Sequence, residues 1–274
     1  MNEFNPNDLK KLYISPHDSH KGENGKLMII AGSVLFHAAS LWPLTVASRI
    51  LDMVFYSSVE ANNEIVEKDK DKFRNGIVVP RSKIEDYIDE ADCVLIGPGL
   101  PREEGVEKGD EDTKILTESL FNKFPRKKWV VDGGSLQVIL PETLPQGAII
   151  TPHKKEFQKL FSLEPTFENA KEMARKYRIT VLLKGEEDFV ADSEQSIVVR
   201  GGNAGMTKGG TGDVLAGLTA SLHCKNEAFL SATCASYINK KAGESLYKRM
   251  GLYYNASDLA EEIPNIMKNL LPEK

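Results

Sequence analysis

The sequence GGNAGMTKGGTGD, at residues 201–213, leads directly into VLAGLTASL at residues 214–222. Glycines crowd the first part, whereas Val214, Leu218 and Leu222 recur at the four-residue spacing of one helical face. The pattern predicts a flexible loop that feeds a buried helix. Because the first N–H groups of a helix lack intrahelical acceptors and lie at the positive end of its dipole, this junction suits a phosphate or another anion.

Asp213 lies where this helix begins, and the residues alone leave two interpretations of it. An acidic residue at a helix N-terminus can simply complement the dipole. A carboxylate at the mouth of an anion-binding loop can also take a proton from a hydroxyl that attacks phosphorus. The standard motifs do not help, because the spacing around Lys208 does not fit a Walker loop. Residues 97–99 and 210–212 do not continue as a dinucleotide fingerprint either.

The composition of the chain limits the number of domains, the partners and the cellular compartment that we expect. The 274 residues are 41% hydrophobic and 27% charged, and we expect residues 1–274 to form a single domain with a sizeable core. The formal net charge is −5 and the basic residues are scattered, so neither nucleic acid nor a membrane is an expected partner. No secretion signal or apolar window of about 20 residues is apparent. Cys93, Cys224 and Cys234 form no Cys-x-x-Cys pair, so we expect a cytoplasmic protein with reduced, buried thiols.

Short apolar runs alternate with helical patterns along most of the chain. LMIIAGS at 27–33, CVLIGPG at 93–99, WVVDGGS at 129–135, AIITPH at 148–153 and TVLLKG at 180–185 each end in a small, polar or charged turn. This alternation predicts an α/β fold with a mostly parallel central sheet and helices on both faces. Ligands of such sheets bind at the carboxyl ends of the strands, so these turns are expected to line a site.

Local signals in the first half of the chain make three further predictions. A helix is expected from Phe36 to about Leu51, with Pro43 in its first turn, where no N–H bond is lost. The pattern Ser-x-x-Glu at residues 82–85 predicts a capping box. The highly charged residues 102–112 are expected to form a solvated loop.

The second half contains similar signals. Pro152 is suited to open a helix that carries Glu156, and His153 is expected in its first turn, where the dipole favours a neutral ring. A hairpin is predicted within residues 189–199 and a long helix over residues 228–247. A final helix is expected to be capped by Asn255.

The run NAGMTKGGTGDVLAG at residues 203–217 resembles the signature of the ribokinase-like NAD(P)H-hydrate dehydratases, which repair hydrated nicotinamide cofactors. Other ribokinase-like kinases share only its Gly-x-Gly-Asp core. HKGENG at residues 20–25, before the first strand, and the Gly-Ser pair at 32–33, after it, are also typical of this family. The matching motifs span residues 20–258, and the resemblance implies a ribokinase-like fold.

The resemblance implies roles for the residues that match the family's motifs. It implies that Asp213 is the catalytic base and also contacts the substrate. It implies further substrate contacts at Ala39, Gly99 and His153, and a metal-binding role for Glu156 near the phosphates. Nucleotide binding is implied for Lys184, Gly185, Glu186, Glu187, Asp188, Gly210, Thr211 and Gly212.

The sequence departs from the family pattern at four places. Residues 50–56 lack the usual glycine, and Pro101 replaces the last glycine of Gly-Pro-Gly-Leu-Gly. Gly134 replaces the second carboxylate of an Asp-Ala-Asp-Ala-Leu run, of which only Asp132 is retained, so a second acid has no role here. Residues 186–188 are acidic where the family has small residues, which would either weaken nucleotide affinity or attract a metal ion.

The resemblance implies a nucleotide-dependent lyase that dehydrates hydrated NADH or NADPH. ADP or ATP, with Mg²⁺, would phosphorylate the ring hydroxyl, and phosphate would then be eliminated. Relatives often form homo-oligomers such as tetramers, and the epimerase domain that some carry in front is not expected here. Two alternatives stay open: a kinase of the same fold that acts on a vitamin precursor or a sugar, and a nucleotide-binding module without catalysis.

Overall fold

The apolar runs form the strands of one sheet in the computed structural model, which describes residues 2–68, 75–102 and 106–271. The described strands are β1 (Lys26–Ile30), β2 (Met53–Ser57), β3 (Ile77–Val78), β4 (Cys93–Ile96), β5 (Lys128–Val131), β6 (Ile149–Ile150), β7 (Thr180–Leu183), β8 (Asp188–Ala191) and β9 (Ser196–Val199). Their order across the sheet is β3-β2-β1-β4-β5-β6-β7-β8-β9. The strands of this sheet therefore come from residues 26–199 of the chain.

Neighbouring strands from β3 to β7 are parallel, whereas β8 and β9 are antiparallel and form the predicted hairpin. The mostly parallel sheet is thus confirmed. The chain leaves β1 towards β2 and β3 and returns to β4 on the other side of β1, which makes this a topological switch point. The turns after β1 and β4 meet there, where the backbone N–H of Gly32 donates to the carbonyl of Pro98 at 2.7 Å.

Helices cover both faces of the sheet, as predicted. The described helices are α1 (Ala38–Ala47), α2 (Glu60–Lys68), α3 (Ile84–Glu90), α4 (Thr113–Lys123), α5 (Gly133–Val138), α6 (Lys154–Phe161), α7 (Phe167–Tyr177), α8 (Thr211–Lys225), α9 (Ala228–Met250) and α10 (Ala256–Leu270). Leu27 and Ile29 of β1 pack with α1, α8, α9 and α10, whereas Met28 and Ile30 pack with α3 to α7. Because side chains alternate along a strand, a strand covered on both faces is apolar throughout.

Two local predictions in the first half of the chain are wrong. Helix α1 begins at Ala38, so Pro43 lies in its second turn, where it has no N–H for the carbonyl of Ala39. Helix α8 packs closely against this turn: a Cβ at Gly217 of α8 would lie 2.5 Å from Cα of Pro43. The capping box at residues 82–85 does not form, because Arg81–Lys83 adopt a 3-10 turn and α3 begins without a side-chain cap.

Two contacts hold the charged loop at residues 102–112, both near its C-terminal end. Residues 103–105 lie outside the described ranges. Asp110 accepts the backbone N–H of Val34 at 2.9 Å, and Glu111 pairs with Arg81 at 2.6 Å. The loop is therefore anchored to the turn after β1 and to the start of α3 as well as being exposed to solvent.

The remaining predictions agree with the structure in outline. Helix α9 ends at Met250, three residues beyond the predicted end. The side chain of Asn255 caps α10 by accepting the N–H groups of Ser257 and Asp258. The three cysteines are buried and unpaired. None of the helices in the described ranges has the length and apolar character needed to cross a bilayer.

The outer edge of β9 is covered by the start of the chain. The N–H of Phe4 donates to the carbonyl of Val198 at 2.9 Å, and the N–H of Val198 donates to the carbonyl of Asn2 at 3.0 Å. Glu3 thereby pairs with Val198 in a parallel bridge. The backbone groups of β9 that face away from β8 are partly satisfied by residues 2–4.

Candidate active site

The carboxyl ends of β5, β6 and β7 lie side by side and bring charged side chains together at one edge of the sheet. Nζ of Lys184, after β7, lies 2.7 Å from Oδ1 of Asp132, after β5. The same Nζ lies 3.9 Å from Oε2 of Glu156. The hydroxyl of Thr151, after β6, donates to Oδ1 of Asp132 at 2.8 Å. The topology thus assembles a buried ionic cluster from residues that are far apart in sequence.

His153 is the N-cap of α6, so the expectation that it lies in the first turn after Pro152 is wrong by one position. The carbonyl of Pro152 accepts the backbone N–H of Lys184 at 2.8 Å, which keeps the chain extended through His153. Nδ1 of His153 accepts the N–H groups of Lys155 and Glu156 at 3.1 and 3.2 Å. Burial and the charge of Lys184 lower the pKa of His153, in agreement with the predicted neutral ring.

Glu156 completes a capping box with His153 and is itself buried. Its Oε2 accepts the backbone N–H of His153 at 2.8 Å, and its Oε1 accepts Nε2 of Gln137 at 3.3 Å. Burial raises the pKa of Glu156 against the opposing effect of Lys184. Gln137 was not predicted from the sequence, because only the packing of α5 beside α6 brings its amide to this carboxylate.

Helix α8 begins directly after the glycine-rich loop, as predicted. Its N-cap, Gly210, has a φ of +92°, and a Cβ there would lie 2.4 Å from the ring of Trp42, so both conformation and space require glycine. Thr211 Oγ1 donates to the carbonyl of Met206 at 2.6 Å. The N–H groups of Gly212 and Asp213 donate to no acceptor within the described ranges. Two oriented backbone donors therefore remain for a ligand.

Asp213 lies next to the ionic cluster, and its own chemistry depends on that position. A Cβ at the preceding Gly212 would lie 3.3 Å from Nζ of Lys184. Burial and the negative charges of Asp132 and Glu156 together outweigh the charge of Lys184 and raise the pKa of Asp213 to about 8. A carboxylate with such a pKa is a stronger proton acceptor near neutral pH than an ordinary aspartate.

Lys184 is a fixed positive charge within this cluster. Burial acts to lower the pKa of its ammonium group, but the carboxylates of Asp132 and Glu156 outweigh burial and raise that pKa above its ordinary value. A lysine that stays protonated can stabilise negative charge on a bound phosphate. Asp132, which the sequence marked only as a retained family carboxylate, is therefore the direct partner of a predicted nucleotide-binding residue.

Asp188 organises the loop of residues 185–188 from within. Its Oδ1 accepts the N–H of Gly185 at 2.9 Å, and its Oδ2 accepts the hydroxyl of Ser236 at 2.7 Å. Nζ of Lys240, on α9, lies 3.5 Å from Oδ1 of Asp188 and donates to the carbonyl of Glu186 at 2.9 Å. Both carboxylate oxygens of Asp188 accept hydrogen bonds within the protein. The Asp188 side chain thus holds the predicted nucleotide-binding loop in position.

The acidic run at 186–188 carries less uncompensated charge than its sequence suggests. Arg200 pairs with Glu187 at 2.5 Å, and Lys240 neutralises Asp188. Glu186 is exposed. Across residues 2–68, 75–102 and 106–271, no three histidine, cysteine or acidic side chains are arranged to hold a metal ion, so the run gives no protein-built metal site.

A cavity of about 850 Å³ lies between this loop and the start of α8, a size typical of ligand pockets. Predicted site residues in its lining are His153, Lys184, Gly185, Glu186, Glu187, Asp188, Thr211 and Gly212. Predicted site residues outside its lining are Ala39, Gly99, Glu156, Gly210 and Asp213. The structure thus places most of the predicted nucleotide-binding residues around one cavity, with Asp213 immediately beyond Gly212.

Ala39 and Gly99 meet at the switch point of the sheet. A Cβ at Gly99 would lie 2.5 Å from Cβ of Ala39 and 2.9 Å from the carbonyl oxygen of Phe36. The two predicted substrate contacts are therefore neighbours, although they belong to different turns. The exposed ring of Phe36 lies beside them, with the guanidinium of Arg102 at 6.0 Å from its centroid.

Comparison with known proteins identifies the family that shares this arrangement. The sequence profile described as NAD(P)H-hydrate dehydratase matches residues 27–265, which is most of the chain. The chain belongs to the NAD(P)H-hydrate dehydratase family. The resemblance inferred from residues 203–217 is thereby confirmed.

Relatives within the dehydratase family differ in length. The chain is 36% identical over 268 residues to the bifunctional NAD(P)H-hydrate repair enzyme Nnr of Methanocaldococcus jannaschii, covering 95% of this chain and 52% of that protein. It thus spans about half the length of the bifunctional relatives that it matches. It is 32% identical over 281 residues to the ADP-dependent (S)-NAD(P)H-hydrate dehydratase of Cenarchaeum symbiosum, covering 95% of each chain.

A solved structure shows the same fold. The ADP/ATP-dependent NAD(P)H-hydrate dehydratase of Bacillus subtilis, co-crystallized with ATP/Mg²⁺, superposes with a TM-score of 0.81. The match covers 98% of each chain at 20% sequence identity. The predicted ribokinase-like architecture is therefore confirmed.

Two residues of the family signature hold the loop before α8 in place. Oδ1 of Asn203 accepts the N–H of Gly205 at 2.9 Å and the hydroxyl of Tyr254 at 2.7 Å, and its Nδ2 donates to the carbonyl of Gly243 at 2.8 Å. The ammonium of Lys208 donates to the carbonyl of Tyr254. These two signature residues thus clamp the loop onto α9 and onto the segment before α10.

Replacing Asn203 with Ala should loosen this clamp. Three hydrogen bonds are lost, and the free energy of unfolding should fall by about 2–3 kcal/mol. Chemical denaturation of the two proteins measures the difference. Asn265→Ala is the control, because the Asn265 amide makes one long contact of 3.5 Å to Glu262 and its loss should change stability by less than about 0.5 kcal/mol. Equal stability of the Asn203 and Asn265 variants would contradict the clamp.

Gly134 explains why the second carboxylate of the family pattern is missing. A Cβ at this position would lie 2.1 Å from the carbonyl oxygen of Leu100. The turn after β4, which contains Pro101 in place of the family's glycine, passes directly against α5. The close approach of Leu100, the residue before Pro101, therefore requires glycine at 134.

The residues present fit Mg²⁺ only as part of a nucleotide complex. Glu156 Oε2 accepts the backbone N–H of His153, and the described residues contain no three-ligand cluster. A closed, protein-built Mg²⁺ site therefore does not fit. Mg²⁺ that enters with phosphates needs only one or two carboxylates, with water completing its shell, and Glu156 and Asp132 can supply these.

Proposed function

We propose that this chain catalyses the nucleotide-dependent dehydration of hydrated NADH and NADPH. The observation that carries the proposal is the position of Asp213, whose pKa is raised to about 8, at a helix terminus with unbonded N–H groups beside a cavity of about 850 Å³. A proton acceptor, two oriented donors and a buried lysine meet at this place. Groups of these kinds support phosphoryl transfer to a hydroxyl.

In the first step Asp213 takes the proton of the ring hydroxyl. The hydroxyl oxygen forms a bond to the terminal phosphorus of ADP or ATP, and the bond from that phosphorus to the bridging oxygen breaks. The N–H groups of Gly212 and Asp213 and the ammonium of Lys184 stabilise the negative charge on the transferred phosphoryl group. AMP or ADP leaves with the bridging oxygen.

In the second step the phosphorylated ring loses phosphate. The carbon–oxygen bond breaks with its electrons on phosphate, the adjacent ring carbon loses a proton to water, and the electrons of that carbon–hydrogen bond restore the ring double bond. The neutral ring of His153 lines the cavity and can orient the substrate by hydrogen bonding. Mg²⁺ held with the phosphates by Glu156 and Asp132 would supply positive charge to the phosphoryl oxygens.

A direct assay separates the candidate functions. The protein is incubated with hydrated NADH and either ADP or ATP, and the absorbance of reduced nicotinamide is followed. Recovery with one or both donors supports the dehydratase and identifies the donor. Accumulation of a phosphorylated ring without recovery indicates a kinase. Tight nucleotide binding with no reaction at all indicates a binding module.

The pH dependence of kcat/KM tests the role of Asp213. The carboxylate must be deprotonated to act as a base, so kcat/KM should rise with pH and level off above about pH 8, the pKa of Asp213 in the free protein. Asp213→Asn should remove this ascending limb from whatever activity remains. A profile that is flat between pH 6 and pH 9 would exclude Asp213 as the group that titrates.

Two further expectations accompany this function. We propose, on the resemblance to the family, that the chain forms a homo-oligomer such as a tetramer and acts in the cytoplasm. Size-exclusion chromatography with light scattering tests the first, and fractionation of the source cells tests the second.

A further inference from the structure

One buried amide in the cavity has no partner for its oxygen. Asn239 of α9 is 4% exposed, and its Oδ1 accepts no hydrogen bond. Side-chain atoms of Ser57, Arg81 and His223 share this property within the described ranges, but only Asn239 lies in the lining of the cavity. A buried polar atom without a partner is costly, and one that belongs to a residue in the lining of a cavity indicates the place of a ligand group.

The surroundings of Asn239 suit a flat heterocycle. The apolar side chains of Met206 and Leu215 line the same cavity. Leu215 lies three residues beyond Gly212 on α8, so it is about 4.5 Å further along the helix from that unbonded N–H group. A molecule with phosphate at one end and an aromatic ring at the other matches this division between polar and apolar lining.

The position of Asn239 is also rigid. The next residue, Lys240, is buried and fixes the loop at 185–188 through the carbonyl of Glu186 and the carboxylate of Asp188. The helix that carries Asn239 is therefore tied to the loop across the cavity before any ligand enters. A preorganised amide of this kind gives selectivity at low entropic cost.

We infer that Asn239 recognises the adenine ring of the phosphoryl donor by hydrogen bonding. This inference rests on the proposed function, because it takes the cavity to be the donor site. Oδ1 of Asn239 accepts the exocyclic amino group of adenine, and Nδ2 donates to the adjacent ring nitrogen, which is the pairing that an asparagine amide makes with adenine. In hypoxanthine and guanine a carbonyl oxygen replaces that amino group, so it would oppose Oδ1.

Binding of ADP and inosine diphosphate by calorimetry tests the assignment without requiring turnover. The two nucleotides differ only at the amino group and the adjoining ring nitrogen. The wild-type chain should bind ADP at least about tenfold more tightly than inosine diphosphate. In Asn239→Ala and in the isosteric Asn239→Asp, this preference should fall to about threefold or less, chiefly through weaker ADP binding.

Asn226→Ala is the matched control. Asn226 is also a buried asparagine, but its amide is fully bonded to Tyr13 and Leu222 at the far end of α8. This variant should keep the preference for ADP while its melting temperature falls, whereas Asn239→Ala should melt within about 2 °C of wild type, because no bond is lost.

An undiminished ADP preference in both Asn239 variants, or equal loss for both nucleotides, would overturn the assignment. If ADP binds and drives turnover in that case, the proposed function survives. If wild type binds neither nucleotide, both fail.

Discussion

Asp213→Asn should abolish most turnover while leaving nucleotide binding intact. Asparagine keeps the size of the side chain and the helix terminus but cannot accept the hydroxyl proton. A general base contributes about 10²- to 10⁴-fold to a rate, so kcat should fall by about 10³-fold. Recovery of reduced nicotinamide measures the rate, and calorimetric titration with ADP should give a dissociation constant within about threefold of wild type.

The control for this substitution is Asp192→Asn. Asp192 accepts backbone N–H groups in the turn between β8 and β9, away from the cavity lining. Its replacement should leave kcat unchanged. If Asp213→Asn retains turnover within about tenfold of wild type, the carboxylate is an N-terminal charge on α8 and not the base.

The same substitution should stabilise the fold at alkaline pH. The pKa of Asp213 rises from its ordinary value of 3.8 to about 8 on folding, so between these values the native state holds more protons than the unfolded state. Stability is therefore lost as pH rises through this window. Asp213→Asn escapes that loss and should be more stable than wild type by about 1–3 kcal/mol at pH 8, with allowance for solvent screening. At pH 4 the two free energies of unfolding should agree.

Lys184→Met should be the most destabilising change in the ionic cluster. It leaves the buried carboxylate of Asp132 without its partner at 2.7 Å and removes a positive charge beside Glu156. The free energy of unfolding should fall by about 2–4 kcal/mol. Loss of a charged hydrogen bond to phosphate should also weaken ADP binding by about tenfold or more. Urea denaturation and calorimetry measure the two effects.

A second substitution separates these two effects. Adding Asp132→Asn to Lys184→Met removes the unpaired charge, so stability should recover in part while ADP binding stays weak. Lys155→Met replaces an exposed lysine of α6 and should change stability by less than about 0.5 kcal/mol. If the double variant is as unstable as Lys184→Met alone, the stability loss does not come from the orphaned carboxylate.

Local sequence patterns were sufficient to predict the architecture of the sheet and its helices. The five strand-and-turn motifs and the glycine-rich junction at 201–213 each depend on neighbouring residues, so periodicity and turn chemistry predicted the parallel sheet and the start of α8. The errors at Pro43 and at residues 82–85 have a different origin. Packing of α1 against Gly217 and the 3-10 turn at Arg81–Lys83 depend on the tertiary structure, which overrides local preference.

The site was predicted in part for the same reason. Lys184, His153 and Glu156 belong to short motifs that the family resemblance identifies, and the structure brings them together. Gln137, Lys240 and Asn239 belong to no such motif. Helices α5 and α9 bring these side chains to the site through contacts that are distant in sequence, and a single sequence has no signal for such contacts.

The departures at Pro101 and Gly134 show the same limit. Each was recognised as a difference from the family, but the close approach of Leu100 to Gly134 was not predictable, because it depends on how the turn after β4 crosses α5. Restoring the acid, as in Gly134→Asp, would force a side chain into the carbonyl of Leu100. The missing carboxylate is thus a consequence of backbone geometry at this position.

The backbone bridge between Glu3 and Val198 restricts how copies of this chain can associate. An unpaired border strand is where two sheets ordinarily fuse into a continuous ribbon. Because residues 2–4 already occupy that border of β9, a neighbouring subunit cannot extend the ribbon there without first displacing them. Assembly at this border must instead join side-chain surfaces, and removal of the first five residues would expose β9 to intermolecular strand pairing.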